Sequence, residues 1–177
     1  MKLRFIIPFI IFLTCSAVLW KGLSLHPARI PSPLIGKAAP NFQLPTLFNP
    51  QQITLDSDLK NHITLLNVWA SWCATCAEEH ELLLKIAKNK SFVLYGLNYK
   101  DDPDTAKKWL LDKGNPYQLI ALDREGQAAI DWGVYGTPET FVIDKHGMIR
   151  YKQIGPITAD DWQNTFLPLL AKLQGEP

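Results

Sequence analysis

Between Ile63 and Ala70 the chain reads Ile-Thr-Leu-Leu-Asn-Val-Trp-Ala, an almost unbroken apolar and β-prone run. Such a run suits a strand buried on both faces at the centre of a sheet. It leads into Trp72-Cys73-Ala74-Thr75-Cys76, and there the period changes. Cys76, His80, Leu83, Leu84 and Ala87 recur at helical spacing as far as about Lys88, with Glu78, Glu81, Lys85 and Lys88 mostly elsewhere. A central strand that becomes a helix across a C-x-x-C pair restricts both fold and chemistry. Cys73 then stands at a helix N-terminus, where unpaired N–H groups and the helix dipole favour negative charge. A thiol placed there has a lowered pKa, and the thiolate is the reactive species. Cys76 falls one turn further in, on the same face and more covered. This spacing lets the two sulfurs bond without backbone movement. The expected division of labour is Cys73 as nucleophile and Cys76 as the resolving thiol.

The rest of the chain supplies a sheet for this unit. Asn41 to Leu44 and Ile53 to Leu55 read as short extended segments separated by a turn at Phe48-Asn49-Pro50. Phe92 to Asn98, Tyr117 to Leu122, Thr140 to Asp144 and Ile149 to Ile154 read as strands, the last two joined in a hairpin by Lys145-His146-Gly147. Pro103 opens a helix to Lys113, Gln127 to Trp132 is a short helix ended by Gly133, and Thr158 starts a last helix to about Leu173. Strand–helix alternation followed by a hairpin and a helix predicts an α/β fold, a mixed central sheet with helices on both faces.

Ahead of this lies a different kind of segment. Lys2 and Arg4 precede a run from Phe5 to Trp20 that carries no charge. With Trp20 and Lys21 at the interface, it approaches the ~20 residues that span a bilayer, and the flanking charges orient the N-terminus to the cytoplasm. The rival reading is a cleaved signal peptide, but Val18-Leu19-Trp20 offers no small-residue cleavage pattern. Cys15 is read as a small apolar residue of this segment. His26 to Pro40 contains Pro27, Pro31, Pro33 and Pro40 and reads as a semi-rigid spacer. The expected organisation is therefore an anchor over 1–25, a linker over 26–40 and one domain over 41–177.

Composition closes off other chemistries. Eighteen basic residues against seventeen acidic, without a block of like charge, do not favour nucleic acid. Three cysteines in 177 residues are too few for a disulfide scaffold. No second C-x-x-C and no suitably spaced histidines follow, so no four-ligand zinc site and no other metal is expected. No nicotinamide or flavin motif is visible, and no cofactor is expected beyond the Cys73–Cys76 couple. Ala70 stands where a peroxidase would carry threonine or serine three residues before its reactive cysteine.

Two further features are open on spacing alone. Glu79 shares the helical face of Cys76, where a carboxylate can take the resolving thiol's proton, yet a solvated helix glutamate is the plainer reading. His80 reads as a packed histidine. Thr137-Pro138 sits between Gly133/Gly136 and a strand, compatible with a cis bond although trans is commoner.

Asn67-Val-Trp-Ala-Ser-Trp-Cys-Ala-Thr-Cys76 with Gly136-Thr-Pro138 resembles the thioredoxin superfamily. Gly36-Lys-Ala-Ala-Pro40-Asn-Phe42, Gly96-Leu-Asn-Tyr-Lys-Asp-Asp102 and Gly133-Val-Tyr-Gly-Thr-Pro-Glu-Thr-Phe141 narrow the resemblance to the DsbE/CcmG subfamily, the membrane-tethered thioredoxins of cytochrome c maturation. It covers the chain from about Pro33 onward. It implies a thioredoxin-like fold behind one N-terminal transmembrane helix, in a bacterial inner membrane with the domain in the periplasm. It also implies reduction of the two haem-site cysteines of apocytochrome c, recharging by a DsbD-type membrane electron carrier, and contact with other cytochrome c maturation components. The same resemblance makes Pro138 cis and facing the dithiol. It offers the Thr137 backbone to a substrate strand, and it places Glu79 and Glu139 around the site. Trp72, Thr137 and Glu139 are thus the expected substrate contacts, and Cys73, Cys76, Glu79 and Pro138 the catalytic set. Asn67 stands where ordinary thioredoxins carry a buried acid, which favours Glu79 as proton acceptor.

Ala74 replaces the proline usual between the cysteines of the subfamily, and Ala77 a common arginine after them. The alternatives are a general extracytoplasmic reductase of the TlpA/ResA kind and a module that binds apocytochrome without turnover. Retention of both cysteines and Pro138 speaks against the second.

Overall fold

The computed structural model describes residues 3–24, 32–49, 52–54 and 61–176. The chain divides into two units, Met1–Pro31 and Ser32–Pro177. In the first, the N-terminal apolar run forms helix α1 (Leu3–Ser24), whose large apolar side chains from Ile7 to Trp20 are exposed. Among the described residues no helix is long and apolar enough to cross a membrane. The expected transmembrane segment is thus met only as a helix, one whose side chains are described over residues 6–22. Lys2 and residues 25–31, including much of the expected spacer, lie outside the described residues.

In the second unit, β1 (Gln43–Pro45) and β2 (Gln52–Thr54) form an antiparallel pair. Leu55 and Pro50, assigned above to a strand and a turn, lie outside the described residues. The main sheet contains β3 (Thr64–Trp69), β4 (Val93–Tyr99), β5 (Leu119–Asp123), β6 (Glu139–Ile143) and β7 (Ile149–Ile154) in the order β5-β4-β3-β6-β7. β3 runs parallel to β4 and antiparallel to β6, so the sheet is mixed about a central strand. Every residue of β3 is buried, as its apolar composition requires. The helices are α2 (Ala74–Ile86), α3 (Pro103–Lys113), α4 (Gln127–Asp131), α5 (Ala159–Asp161) and α6 (Leu167–Gly175).

Side chains alternate across β3 and divide the core in two. Leu65 and Trp69 pack with Leu83 and Ile86 of α2, Leu110 of α3 and Leu170 and Leu173 of α6. Leu66 and Val68 pack on the other face with Phe141, Ala128, Ala129 and Trp132. Helices therefore cover both faces. On α2 the buried apolar positions are Leu83 and Ile86; Leu84 and Ala87 are only partly covered. Tyr117 precedes β5, and Glu139 rather than Thr140 opens β6. Thr158 caps α5 in a reciprocal box with Asp161, and a π-helical turn (Trp162–Phe166) joins α5 to α6.

One expected boundary moves. Gly36 and Ala39, assigned above to the spacer, donate backbone hydrogen bonds to Ile149 and Gly147, and Ile149 donates to Lys37. Leu34 and Ala39 also pack against the second core. Apolar residues that can dock on the β6–β7 hairpin are thereby drawn into the folded unit, so the linker reading of residues 36–39 is corrected.

Candidate active site

The strand-to-helix turn places the cysteines as their spacing predicts. Cys73 is the N-cap of α2, with extended backbone, and its Sγ accepts from the Cys76 N–H at 3.1 Å. A sulfur that accepts a helix N-terminal N–H carries negative charge more readily once reduced. The two sulfurs are joined in a disulfide with Cα atoms 5.3 Å apart. Both residues are largely covered, at 5% and 3% exposure. Beside them Trp72 is 58% exposed, its indole N–H donating to the Lys100 carbonyl at 3.0 Å. Ser71, which begins the turn, gives both its backbone N–H (2.6 Å) and its hydroxyl (2.7 Å) to Asp101. Asp101 also accepts from Asn98 and from the Asp102 N–H, so one buried carboxylate ties the turn to the end of β4.

Glu79 is not a solvated glutamate. It is 2% exposed on the inward face of α2, one turn after Cys76. Its Oε1 accepts from Asn67 Nδ2 at 2.9 Å and its Oε2 from the Ile157 N–H at 2.7 Å. Burial raises its pKa to about 7, and the two hydrogen bonds only partly oppose that. The carboxyl therefore exchanges a proton near neutral pH, as a general acid–base must. The amide that serves it is itself held. Tyr117 donates to Asn67 Oδ1 at 2.7 Å, and Asn67 Nδ2 also reaches Thr140 Oγ1 at 2.9 Å. Burial, and next the Glu79 charge, push the Tyr117 phenol well above its ordinary pKa, so it remains a donor. Glu79 also lines a cavity of about 320 Å3 with Glu78, Glu81, Lys85 and Thr158.

On the facing side, Thr137-Pro138 is a cis peptide bond. A groove of about 330 Å3 is lined by Thr75, between the cysteines, and by Tyr135, Gly136, Thr137, Pro138, Glu139, Ile154, Gly155 and Pro156. The fold thus brings the dithiol turn and the Thr137–Pro138 loop to one opening. Glu139, expected above as a substrate contact, stands at this groove with little of its surface open. Its side chain is 1% exposed and faces inward: Oε1 accepts from the Tyr135 N–H at 3.0 Å, and Lys152 Nζ lies 2.9 Å from Oε2. That ion pair is close without being aligned as a hydrogen bond; Lys152 directs its aligned bond to the Gly133 carbonyl at 2.7 Å. His80 packs against Trp109 with Nε2 3.0 Å from the Gly114 carbonyl, as a core histidine.

Sequence reasoning passed over Tyr117, Thr140, Asp101 and Lys152. Asp101 and Thr140 lie in stretches that carry the resemblance, but the bonds by which they serve the site, to Ser71 and to Asn67, cross thirty and seventy-three residues and have no local spacing to announce them. Among the described residues no group of three or more His, Cys, Asp or Glu is placed to hold a metal.

Residues 34–165 match the Redoxin family model. The thiol:disulfide interchange protein DsbE of Allochromatium vinosum is 45% identical over 172 residues, spanning 97% of this chain and 95% of that one. The chain belongs to the DsbE branch of the Redoxin family. The DsbE proteins of Pseudomonas aeruginosa and Escherichia coli are 43% and 42% identical, each spanning 97% of this chain and 95% of theirs. The crystal structure of a secreted thiol-disulfide isomerase from Corynebacterium glutamicum superposes with a TM-score of 0.60 at 28% identity, covering 75% of this chain and 85% of that one. Family membership and the Cys73–Cys76 couple make this protein a thiol–disulfide oxidoreductase of thioredoxin-like fold.

Proposed function

We propose that this family member is an extracytoplasmic reductant of apocytochrome c haem-site cysteines. The observation that carries its chemistry is the buried Glu79 with a pKa of about 7, one helical turn after the resolving Cys76; the reducing direction rests on the likeness to the DsbE proteins. In the reduced protein the Cys73 thiolate attacks the substrate disulfide, forming one S–S bond and releasing one substrate thiolate, which takes a proton from solvent. Glu79 then accepts the proton of Cys76, and the Cys76 thiolate attacks Cys73 Sγ. The second substrate thiolate leaves and is protonated, and the Cys73–Cys76 disulfide retains the oxidation. Two electrons pass to the substrate. A DsbD-type membrane carrier would return them.

Pro138 and Thr137 present the groove edge, where an extended peptide can pair with backbone, and Trp72 offers an exposed apolar surface next to Cys73. A bacterial inner-membrane location with the domain in the periplasm is supported by the basic Lys2 and Arg4 ahead of the uncharged run from Phe5 to Trp20, whose exposed apolar side chains suit a non-aqueous surrounding. Free thiols at a C-x-x-C-H site are what haem attachment needs, so the other maturation components would act on the product.

The test is anaerobic reduction of two oxidised peptides, one carrying C-x-x-C-H in a cytochrome-like segment and one with the same composition scrambled around its disulfide. Clear preference for the first is expected. Equal rates would contradict the specialised role and point to a general reductase of the TlpA/ResA kind.

A further inference from the structure

Lys152 has no part in the sulfur chemistry, yet its ammonium is buried and held from several sides. It belongs to β7, opposite Phe141 of β6, and its side chain is 2% exposed. An ammonium is costly to bury unless every direction is answered by a polar or π partner. Here all the partners belong to one short segment and its root. Nζ reaches the Gly133 carbonyl at 2.7 Å, Glu139 Oε2 at 2.9 Å, and the faces of Tyr135 and Phe141 at 4.4 and 5.2 Å. Glu139 in turn holds the Tyr135 N–H. The Gly133–Pro138 loop is thus fixed at its first carbonyl, at one amide and at one ring, all through the same buried pair. At its far end the Pro138 carbonyl accepts from the Gly155 N–H.

What the loop presents outward is the groove. Tyr135 is 64% exposed although one ring face rests over the ammonium, and Gly136, Thr137 and Pro138 line the same opening as Thr75. A cation–π contact and a charge-assisted bond fix orientation more than they add stability. A pair serving stability alone would have no reason to hold an exposed ring at a groove edge.

We propose that Lys152, through its ion pair with Glu139, is a positioning residue that sets the Gly133–Pro138 loop for an extended peptide substrate. This role rests on the reductase reading above. The ammonium touches neither substrate nor sulfur. It determines where Tyr135 and the Thr137 backbone stand when a peptide disulfide approaches Cys73. Large disulfide substrates that use the groove depend on it, and small ones that reach Cys73 directly do not.

The experiment compares Lys152→Met and Lys152→Arg with the wild type, each as the full reduced chain in detergent micelles. Two substrates are used: an oxidised C-x-x-C peptide about a dozen residues long and the small reagent hydroxyethyl disulfide. Because a misplacement near 1 Å costs up to roughly a hundredfold, kcat/KM of Lys152→Met for the peptide should fall about tenfold or more, chiefly through KM. Its rate with hydroxyethyl disulfide should fall far less, and Lys152→Arg should recover most of the peptide loss. Should Lys152→Met leave Glu139 unpaired and fail to fold, Lys152→Met with Glu139→Gln removes the buried charge, and the same peptide-selective loss is expected. Equal losses on both substrates, or none on either, would overturn the positioning role while leaving the reductase reading intact. A wild-type protein inert to both disulfides would refute the reductase reading itself, and this proposal with it.

Discussion

Replacing Glu79 with glutamine should change how stability depends on pH, in a direction fixed by its burial. In the folded protein the carboxyl has a pKa of about 7 against the ordinary 4.5. Between those values the folded state binds a proton that the unfolded chain releases. The group's contribution is therefore fully present below pH 4.5 and lost as pH rises through 7. A difference of that size corresponds to about 3 kcal/mol, so from this group the wild type loses about that much between pH 4.5 and pH 8. The side chain is nearly fully buried, so solvent screening takes little from the figure. Asp144 and Glu176 have lowered pKa values and act in the opposite sense, losing stability as pH falls. Comparison with Glu79→Gln cancels their effect. Glutamine is neutral throughout and cannot accept from both Asn67 and Ile157, which adds an offset that does not vary with pH. The assay is urea unfolding of the oxidised protein, in which neither Cys73 nor Cys76 titrates, at half-unit steps from pH 4.5 to 8.5. The two stability curves should converge or cross as pH rises, with the gap changing by about 3 kcal/mol. Parallel curves would refute a buried, protonatable Glu79 and the proton-transfer role built on it.

Cys76→Ser should retain attack by Cys73 but accumulate mixed disulfides, seen as a protein–peptide adduct by mass spectrometry that persists after wild-type turnover is complete. Asp101→Asn should loosen the Ser71 turn, lowering the rate of Cys73 attack and shifting Trp72 fluorescence while leaving far-UV circular dichroism unchanged. Gly96→Ala should destabilise the domain by about 1–3 kcal/mol in urea unfolding, because a Cβ there would lie 2.8 Å from Trp69 Nε1 and 3.1 Å from Tyr117.

The parts of this protein legible in sequence are those written in local period. The run from Ile63 to Ala70 became the central, wholly buried β3, and Pro103 and Lys113 bound α3 as expected. Cys73 and Cys76 were placed by their position at a strand-to-helix turn alone. Glu79 shows where local reading stops. Its spacing puts it on the face of Cys76, but its raised pKa comes from burial in the folded core, and the partners that hold its carboxylate, Asn67 and Ile157, lie twelve and seventy-eight residues away. Glu139 is a second case: its place at the groove is legible beside Pro138, but its inward ion pair is not. Nothing beside it in the chain announces Lys152, whose ammonium turns the carboxylate inward. The Gly36–Ala39 segment looked like spacer because its two backbone partners lie on β7 and its turn, more than a hundred residues on.

The most direct test of apocytochrome reduction is a substrate trap in cells making cytochrome c. Cys76→Ser with Cys15→Ser is expressed, thiols are quenched with acid, and the proteins disulfide-bonded to Cys73 are identified by mass spectrometry. Cytochrome c precursors joined through their haem-site cysteines should dominate. A broad set of envelope proteins without them would contradict the specialised role and leave a general reductase in its place.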